Sequence, residues 1–284
     1  MSQTQNNLAE GWGSKPVTFS RDWMDLSLLP TNLTEIEKLL RQMPSSRVFV
    51  RITSPDLADS NIQRLALEEV PNLVEVLEKG EGTIHLQAIQ LDEYLDVYAA
   101  FKTAFIEKVA QAVPEFNHSK LISSSVGLFI STPGATAPFH ADPEHNFLLQ
   151  VSGDKTMHSF PPRDFETFPT DAREALAAEK VSILKTYQAK FEDRATILKL
   201  SEGDFIYHPP MSPHWVKTGS EGYGLSYTIS LVTEDVEQTL LLHKLNRKLR
   251  KFGITPSQQG SHPFIDNIKI KSADFSRKIK RKFF

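Results

Sequence analysis

The segment between residues 123 and 233 constrains the fold most, because short strand-like runs follow one another there, separated by Gly and Pro. Many short strands with tight turns indicate a jelly roll or small barrel, in which the sheet folds on itself and removes its exposed edges. One helix is predicted to interrupt them, at 165–179. The fold class is therefore mainly β with flanking helices, and strands are predicted at 125–132, 139–142, 146–152, 155–160, 195–200, 204–208, 214–217 and 224–233.

The flanking segments predict helical and mixed structure. We divide the chain into residues 1–122, whose helices and strands support the barrel, a β core at 123–234, a C-terminal helix at 235–253 and a basic amphipathic tail at 254–284. Before the core, residues 1–30 look irregular, helices are predicted at 35–43, about 59–69 and 92–112, and strands at 46–53 and within 82–91.

Three side chains of the β core suggest a metal site. His140 and Asp142 are two residues apart, so on a strand they point to the same face and can bind one ion together. His214 follows a later strand after a Pro-Pro turn, which can return it to the same end of the barrel. Two imidazoles and one carboxylate without a thiolate suit the facial triad of non-haem Fe(II), which leaves one face of the metal open. A His-x-Asp pair alone is a weak signal, so the surrounding motifs carry the weight.

These motifs resemble the JmjC/cupin-type oxygenases that depend on Fe(II) and 2-oxoglutarate. The similarity is greatest to the branch of the factor-inhibiting-HIF asparaginyl hydroxylase and its bacterial cupin-like relatives. It implies a double-stranded β-helix (jelly-roll) core and a hydroxylation that consumes O2 and 2-oxoglutarate and releases succinate and CO2. The residues that carry it are His140-Ala141-Asp142, Asn146-Phe147, Gly153-Asp154-Lys155, Phe160-Pro161-Pro162, Gly203-Asp204, Tyr207, Pro209 and His214.

The resemblance also implies roles for single residues. His140, Asp142 and His214 match the iron ligands, and Lys155 matches the lysine that pairs with the distal carboxylate of 2-oxoglutarate. Asn146 matches an asparagine that reaches the cosubstrate. Beyond these ligands no protein side chain is required as a general acid or base, because the metal supplies the chemistry.

The chain departs from the pattern at Ala137, where the hydroxylase has a threonine that contacts the cosubstrate. Four hydroxyl side chains are candidates to replace it, and we place Ser230 among the cosubstrate-binding residues. The sequence does not choose among them: Thr136, Tyr227, Thr228 and Ser230. The departure keeps a second hypothesis open, a metal-binding cupin that oxidises nothing and serves as a binding module or an isomerase.

Three other histidines of the β core lie off the motif. We expect His145, His158 and His208 to pack or to support the metal site rather than to bind the ion. The substrate is not identified by any motif, so a protein side chain and a small molecule both stay open.

Composition and charge predict the surroundings of the protein. The chain has no cysteine, no apolar core of a signal peptide and no apolar run long enough to span a bilayer, which favours a cytoplasmic location. From His243 onward, twelve Lys or Arg and two Asp give a charge of +10, so the remaining residues carry −3 minus 10, or −13.

The charge asymmetry suggests that the tail meets an anionic partner. Phe275, Ile279 and Phe283 form a stripe among basic residues, which suggests an interfacial helix at the anionic inner face of a membrane. A solvated tail is as well supported, and nucleic acid is not favoured. Leu241, Leu245 and Leu249 form a packing face, and the resemblance makes a homodimer through this helix the expected assembly. A surface adaptor with the barrel as its scaffold is a third hypothesis.

Overall fold

The computed structural model describes residues 8–19, 21–27, 29–80 and 82–283, and of residues 21 and 275–283 it describes the backbone alone. Twelve strands are formed in these ranges. They are β1 (Val17–Phe19), β2 (Val48–Ile52), β3 (Gln63–Ala66), β4 (Ile84–Ala88), β5 (Leu121–Ser131), β6 (Thr136–Ala141), β7 (His145–Ser152), β8 (Lys155–Ser159), β9 (Thr196–Leu200), β10 (Phe205–His208), β11 (Pro213–Thr218) and β12 (Gly224–Thr233).

The strands form two antiparallel sheets. The larger sheet has the order β1-β10-β7-β12-β5-β4-β2-β3, and the smaller has the order β6-β11-β8-β9. From β5 to β12 consecutive strands alternate between the sheets, except that β8 and β9 are neighbours in the smaller sheet, and this is the winding of a jelly roll. The mainly β fold class predicted from the sequence is confirmed.

Besides a helical turn at 8–11, six α-helices flank the sheets in the described part of the chain. They are α1 (Leu33–Leu40), α2 (Leu73–Lys79), α3 (Asp96–Ala112), α4 (Thr170–Glu179), α5 (Glu234–Lys251) and α6 (Pro263–Phe283). Asn32 caps α1 by accepting hydrogen bonds from the backbone N–H groups of Thr34 and Glu35 at 3.0 and 3.2 Å. Helix α5 packs against α4, and α6 packs against α5. None of the described helices is both long and apolar enough to cross a bilayer.

The main core lies on one face of the large sheet, where α1, α2 and α3 cover β5, β7 and β12. A smaller aromatic cluster covers the outside of β6: Phe139, Phe160, Phe168 and Phe191 are buried and in contact there. The other faces of the two sheets enclose the site described below.

Three local predictions were wrong. The helix expected at about 59–69 is the strand β3 followed by a 3-10 turn, Leu67–Glu69, because residues 63–66 pair with β2. The segment expected to be irregular before residue 31 contains a helical turn at 8–11 and β1, which pairs with β10. Helix α2 was not predicted. Strands β1–β4 continue the core sheet, and the proposed four-part division of the chain stays a prediction.

The C-terminal tail is helical to Phe283. The predicted stripe of Phe275, Ile279 and Phe283 lies outside the described side chains, so its membrane role stays a prediction. Leu241, Leu245 and Leu249 lie on α5 and are half-buried.

Candidate metal centre

Two adjacent strands of the small sheet bring the three predicted ligands together. His140 of β6 lies directly opposite His214 of β11 in the antiparallel register, and Asp142 follows the end of β6. One ligand atom from each of the three lies within 4.8 Å of the others. A single ion can therefore contact all three. Among the residues that the structure describes, no other group of three potential ligands converges in this way.

Both imidazoles are held in the tautomer that a metal needs. His140 donates from Nδ1 to the carbonyl of Pro138 at 2.7 Å, and His214 donates from Nδ1 to the carbonyl of Ser212 at 3.2 Å. A carbonyl can only accept, so each Nδ1 carries the proton and each Nε2 has a free lone pair. Burial, with a smaller contribution from the charge of His140, lowers the pKa of His214 to about 3. His214 is thus neutral at physiological pH, the form that binds metal.

A hydrogen-bond chain orients the carboxylate ligand. Asn146 donates from Nδ2 to Asp142 Oδ2 at 3.1 Å, and Ser230 donates to Asn146 Oδ1 at 2.6 Å. Asn146 and Ser230 lie opposite each other on β7 and β12, so the large sheet positions a ligand that the small sheet carries. Burial and, to a smaller extent, the charge of Asp142 raise the pKa of Glu144 to about 8.

A buried lysine lies in the same interior. Lys155 begins β8, is 5% exposed, and donates from Nζ to Ser226 Oγ at 2.7 Å. Ser226 in turn donates to Gln150 Oε1 at 2.7 Å. Burial lowers the pKa of Lys155 to about 7. Among the described residues no carboxylate forms an ion pair with this amine, so the site can accept an anion.

The structure places the hydroxyl candidates at different sites. Ser230 donates to Asn146. Tyr227 lies on the opposite face of the sheet, which the helices cover, and donates to the carbonyl of Pro30 at 2.8 Å. The hydroxyl group that accepts the hydrogen bond from Lys155 is that of Ser226, which was not among the predicted candidates. Strand alternation offered a signal, since residues 226, 228 and 230 share one face of β12.

Beside Lys155, the wall of the interior is completed by His85 of β4. Its Nδ1 lies 2.8 Å from Ser131 Oγ, and its Nε2 donates to the carbonyl of Thr136 at 3.3 Å. Burial and then the charge of Lys155 lower the pKa of His85 to about 4, so this imidazole is a neutral polar wall. Ala137 itself packs against an apolar cluster that contains Met157 and Val216.

The remaining histidines of the core do not join the metal cluster. His145 stacks on Trp12 with ring centroids 4.1 Å apart, and His158 bonds to Glu192 Oε2 at 2.6 Å while stacking on Trp215. His208 lies behind His214 and bonds through Nε2 to Ser159 Oγ at 2.9 Å. Their expected packing and supporting positions agree with this arrangement.

Comparisons with known proteins give one family and several relatives. The cupin-like domain family matches residues 21–231. Jumonji C domain-containing protein 5 of Drosophila melanogaster is 23% identical over 214 residues, covering 72% of this chain and 50% of that protein. JmjC domain-containing protein D of Dictyostelium discoideum is 25% identical over 116 residues, or 38% of this chain and 26% of that protein. The chain therefore spans half or less of the length of these relatives.

Solved structures show the same fold. An X-ray structure of Escherichia coli YcfD aligns over 97% of this chain and 67% of that chain, with a TM-score of 0.56 and 17% identity. A structure of YcfD described as a ribosomal oxygenase in complex with cobalt and 2-oxoglutarate aligns over 97% and 66%, with a TM-score of 0.53 and 17% identity. At this identity the likeness establishes the fold alone.

Proposed function

The chain belongs to the family of cupin-like domains, and from this premise we propose that it is an Fe(II)- and 2-oxoglutarate-dependent oxygenase. It would hydroxylate a C–H bond of its substrate with O2 and release succinate and CO2. The observation that carries the proposal is the convergence of two Nε2 lone pairs and the Asp142 carboxylate next to the buried, unpaired ammonium of Lys155.

The donor set fits Fe(II). Two neutral imidazoles and one carboxylate on one side of an ion are the set that non-haem Fe(II) oxygenases use, and they leave positions for a chelating cosubstrate and O2. When bound, the iron and 2-oxoglutarate supply the oxidising chemistry. The protein fixes the tautomers of His140 and His214, orients Asp142 through Asn146 and surrounds the site with packed strands.

Lys155 fits the cosubstrate. A dicarboxylate that chelates iron at its keto-acid end needs a cation for its far carboxylate, and a buried cation needs an anion. Ser226, bonded to Lys155 Nζ, is the hydroxyl that we propose in place of the threonine absent at Ala137. The complex of YcfD with cobalt and 2-oxoglutarate supports this assignment by analogy of fold.

Several further proposals go with this function. The substrate is a protein side chain or a small molecule, and the resemblance to the asparaginyl hydroxylase branch stays a prediction. A homodimer, contact of the tail with an anionic membrane and a cytoplasmic location also stay predictions.

The first experiment needs no substrate. Anaerobic metal-free protein is titrated with Fe(II) and 2-oxoglutarate, and the visible charge-transfer band of the chelate is recorded. We expect the band in the wild type, its loss in His140→Ala and a weaker cosubstrate affinity in Lys155→Ala. His118→Ala and Lys199→Ala are matched controls, since both side chains are exposed and neither belongs to the cluster.

The result separates the two hypotheses. A protein that binds Fe(II) through His140 and shows no chelate band with 2-oxoglutarate would be a metal-binding cupin that does not use this cosubstrate. Retention of the band in His140→Ala would remove the proposed ligand set.

A further inference from the structure

The large sheet continues past β5 through β4, β2 and β3, and this extension carries two arginines on one face. Arg51 of β2 lies directly opposite Arg64 of β3 on one side and His85 of β4 on the other. Residues opposite each other in an antiparallel sheet point to the same face. Arg64, Arg51 and His85 therefore form one row.

This row faces the metal centre. His85 donates to the carbonyl of Thr136 in β6, the strand that carries His140, and the N–H of Phe139 donates to the carbonyl of Leu57 at 3.1 Å. The segment after β2 is thereby fixed against β6 beside the ligand. Burial and the neighbouring Arg64 lower the pKa of Arg51, whereas the charge of Asp142 raises it, which places this guanidinium within the field of a metal ligand.

The two guanidinium groups share one aromatic ring. The central carbon of Arg64 lies 3.5 Å from the ring centroid of Phe49, and that of Arg51 lies 5.1 Å from it. Phe49 is buried, Arg51 is half-buried and Arg64 is exposed. The pair thus runs from solvent toward the interior over a rigid platform.

The two arginines place like charges side by side on the sheet, and the charge of Asp142 offsets this repulsion at Arg51 in part. Like charges directly opposite on a sheet are destabilising, and partial burial adds to the cost. Among the described residues no carboxylate forms an ion pair with Arg51 or Arg64. Asp142 is engaged by Asn146 and belongs to the metal cluster. An arrangement that is unfavourable in the free protein is stabilised when an anion arrives.

We propose that Arg51 and Arg64 bind an anionic group of the substrate, a carboxylate or a phosphate, and so hold the substrate over the metal centre. The identification of the bound anion as part of a substrate rests on the proposed oxygenase function. Planar guanidinium groups bind both oxyanions through paired hydrogen bonds, so the shared chemistry is a multidentate oxyanion. The substrate class is therefore an acidic side chain, an organic acid or a phosphorylated compound.

Calorimetric titration of metal-free protein with inorganic phosphate and, separately, with acetate tests the site without iron. We expect one or both anions to bind the wild type, and Arg51→Gln and Arg64→Gln each to raise the dissociation constant at least about tenfold, a typical loss for one charged hydrogen-bonding partner. Arg51→Lys, which retains charge without the planar fork, should weaken binding less than Arg51→Gln.

Two controls locate the binding. Arg41→Gln removes an exposed arginine that pairs with Glu37, and it should leave the affinity unchanged. Lys155→Met removes the cation to which the proposed function assigns a carboxylate, so the titrations are repeated in this background, where only binding that depends on the two arginines remains. The proposal is overturned if neither anion binds the wild type, if Arg51→Gln and Arg64→Gln bind as the wild type does, or if Lys155→Met alone abolishes binding.

The outcome is separable from that of the proposed function. Arginine-dependent anion binding without a chelate band would leave the anion site standing and refute the 2-oxoglutarate oxygenase. A chelate band without arginine-dependent anion binding would do the reverse. Preference for phosphate over acetate would indicate a phosphorylated substrate, and preference for acetate would indicate a carboxylic acid.

Discussion

Replacing Lys155 by Met should stabilise the free protein and remove cosubstrate binding. Met has nearly the volume of Lys and fills a buried site without a charge. Lys155 is buried on β8, has Ser226 as its hydrogen-bond partner, and pairs with no carboxylate of the described residues. The lysine is thus retained at a cost to stability, as expected for a residue kept for binding.

The size of the effect follows from the pKa of Lys155, which burial lowers from 10.5 to about 7. At 1.36 kcal/mol for each pKa step, burying this lysine costs roughly 4 kcal/mol at pH 7. Losing the hydrogen bond to Ser226 removes about 1 kcal/mol. Lys155→Met should therefore raise the free energy of unfolding by about 3 kcal/mol at pH 7.

The gain should depend on pH with a definite sign. Because the folded pKa lies below the unfolded pKa, the unfolded wild type binds more protons between the two values, and wild-type stability rises as the pH increases from about 7 toward 10.5. The variant lacks this contribution. Its advantage should shrink over the same window and vanish near pH 10.

Urea denaturation of both metal-free proteins at pH 7 and pH 9.5 measures the difference, with Lys199→Met as the control. Lys199 is exposed on the neighbouring strand β9, so its replacement should change stability by less than about 0.5 kcal/mol at either pH. A Lys155→Met protein that is less stable than the wild type at pH 7, or whose advantage is the same at both pH values, would refute the reasoning.

Three other predictions concern the cosubstrate, the metal and the basic tail. The affinity of the wild type for 2-oxoglutarate should fall roughly tenfold from pH 6 to pH 8, because Lys155 must be protonated to bind the anion; a flat calorimetric profile would contradict this. Asn146→Ala should weaken Fe(II) binding by about 10-fold or more, as measured by competition with a chelator, since Asp142 loses its orienting hydrogen bond; an unchanged affinity would show that the bond is dispensable. Replacing the five basic residues of 277–282 by Gln should abolish cosedimentation with phosphatidylserine vesicles and leave the chelate band intact; absence of wild-type cosedimentation would refute the membrane prediction.

The sequence predicted the β core well because most strands there are alternating runs followed closely by Gly or Pro. The metal cluster depends on two relations. A spacing of two residues points His140 and Asp142 to the same side, and the pairing of β6 with β11 brings His214 beside His140. The first relation is local and visible in the sequence. The second was reached through the order of motifs, since pairing across 74 residues is not encoded by periodicity.

The side chains around Lys155 could not be assigned partners from the sequence. Ser226 and Ser230 lie on the same face of β12, four residues apart, and both point into the pocket. The register of β12 against β7 places Ser226 opposite Gln150 and Ser230 opposite Asn146, and Lys155 reaches Ser226 from β8 of the other sheet. A register is a property of two strands together, so a single strand's sequence gave the face and not the partner.

The incorrect prediction of a helix at about 59–69 had a larger consequence than the unassigned partners of Ser226 and Ser230. Residues 63–66 are Gln-Arg-Leu-Ala, which prefer helix locally, but pairing with β2 outweighs that preference. On a helix Arg64 would be one of many solvated surface charges and would call for no explanation. On β3 it lies opposite Arg51 over Phe49, in a row that leads to the metal centre. The anion site is therefore a property of strand pairing, and it became visible only when the local preference was overruled by tertiary structure.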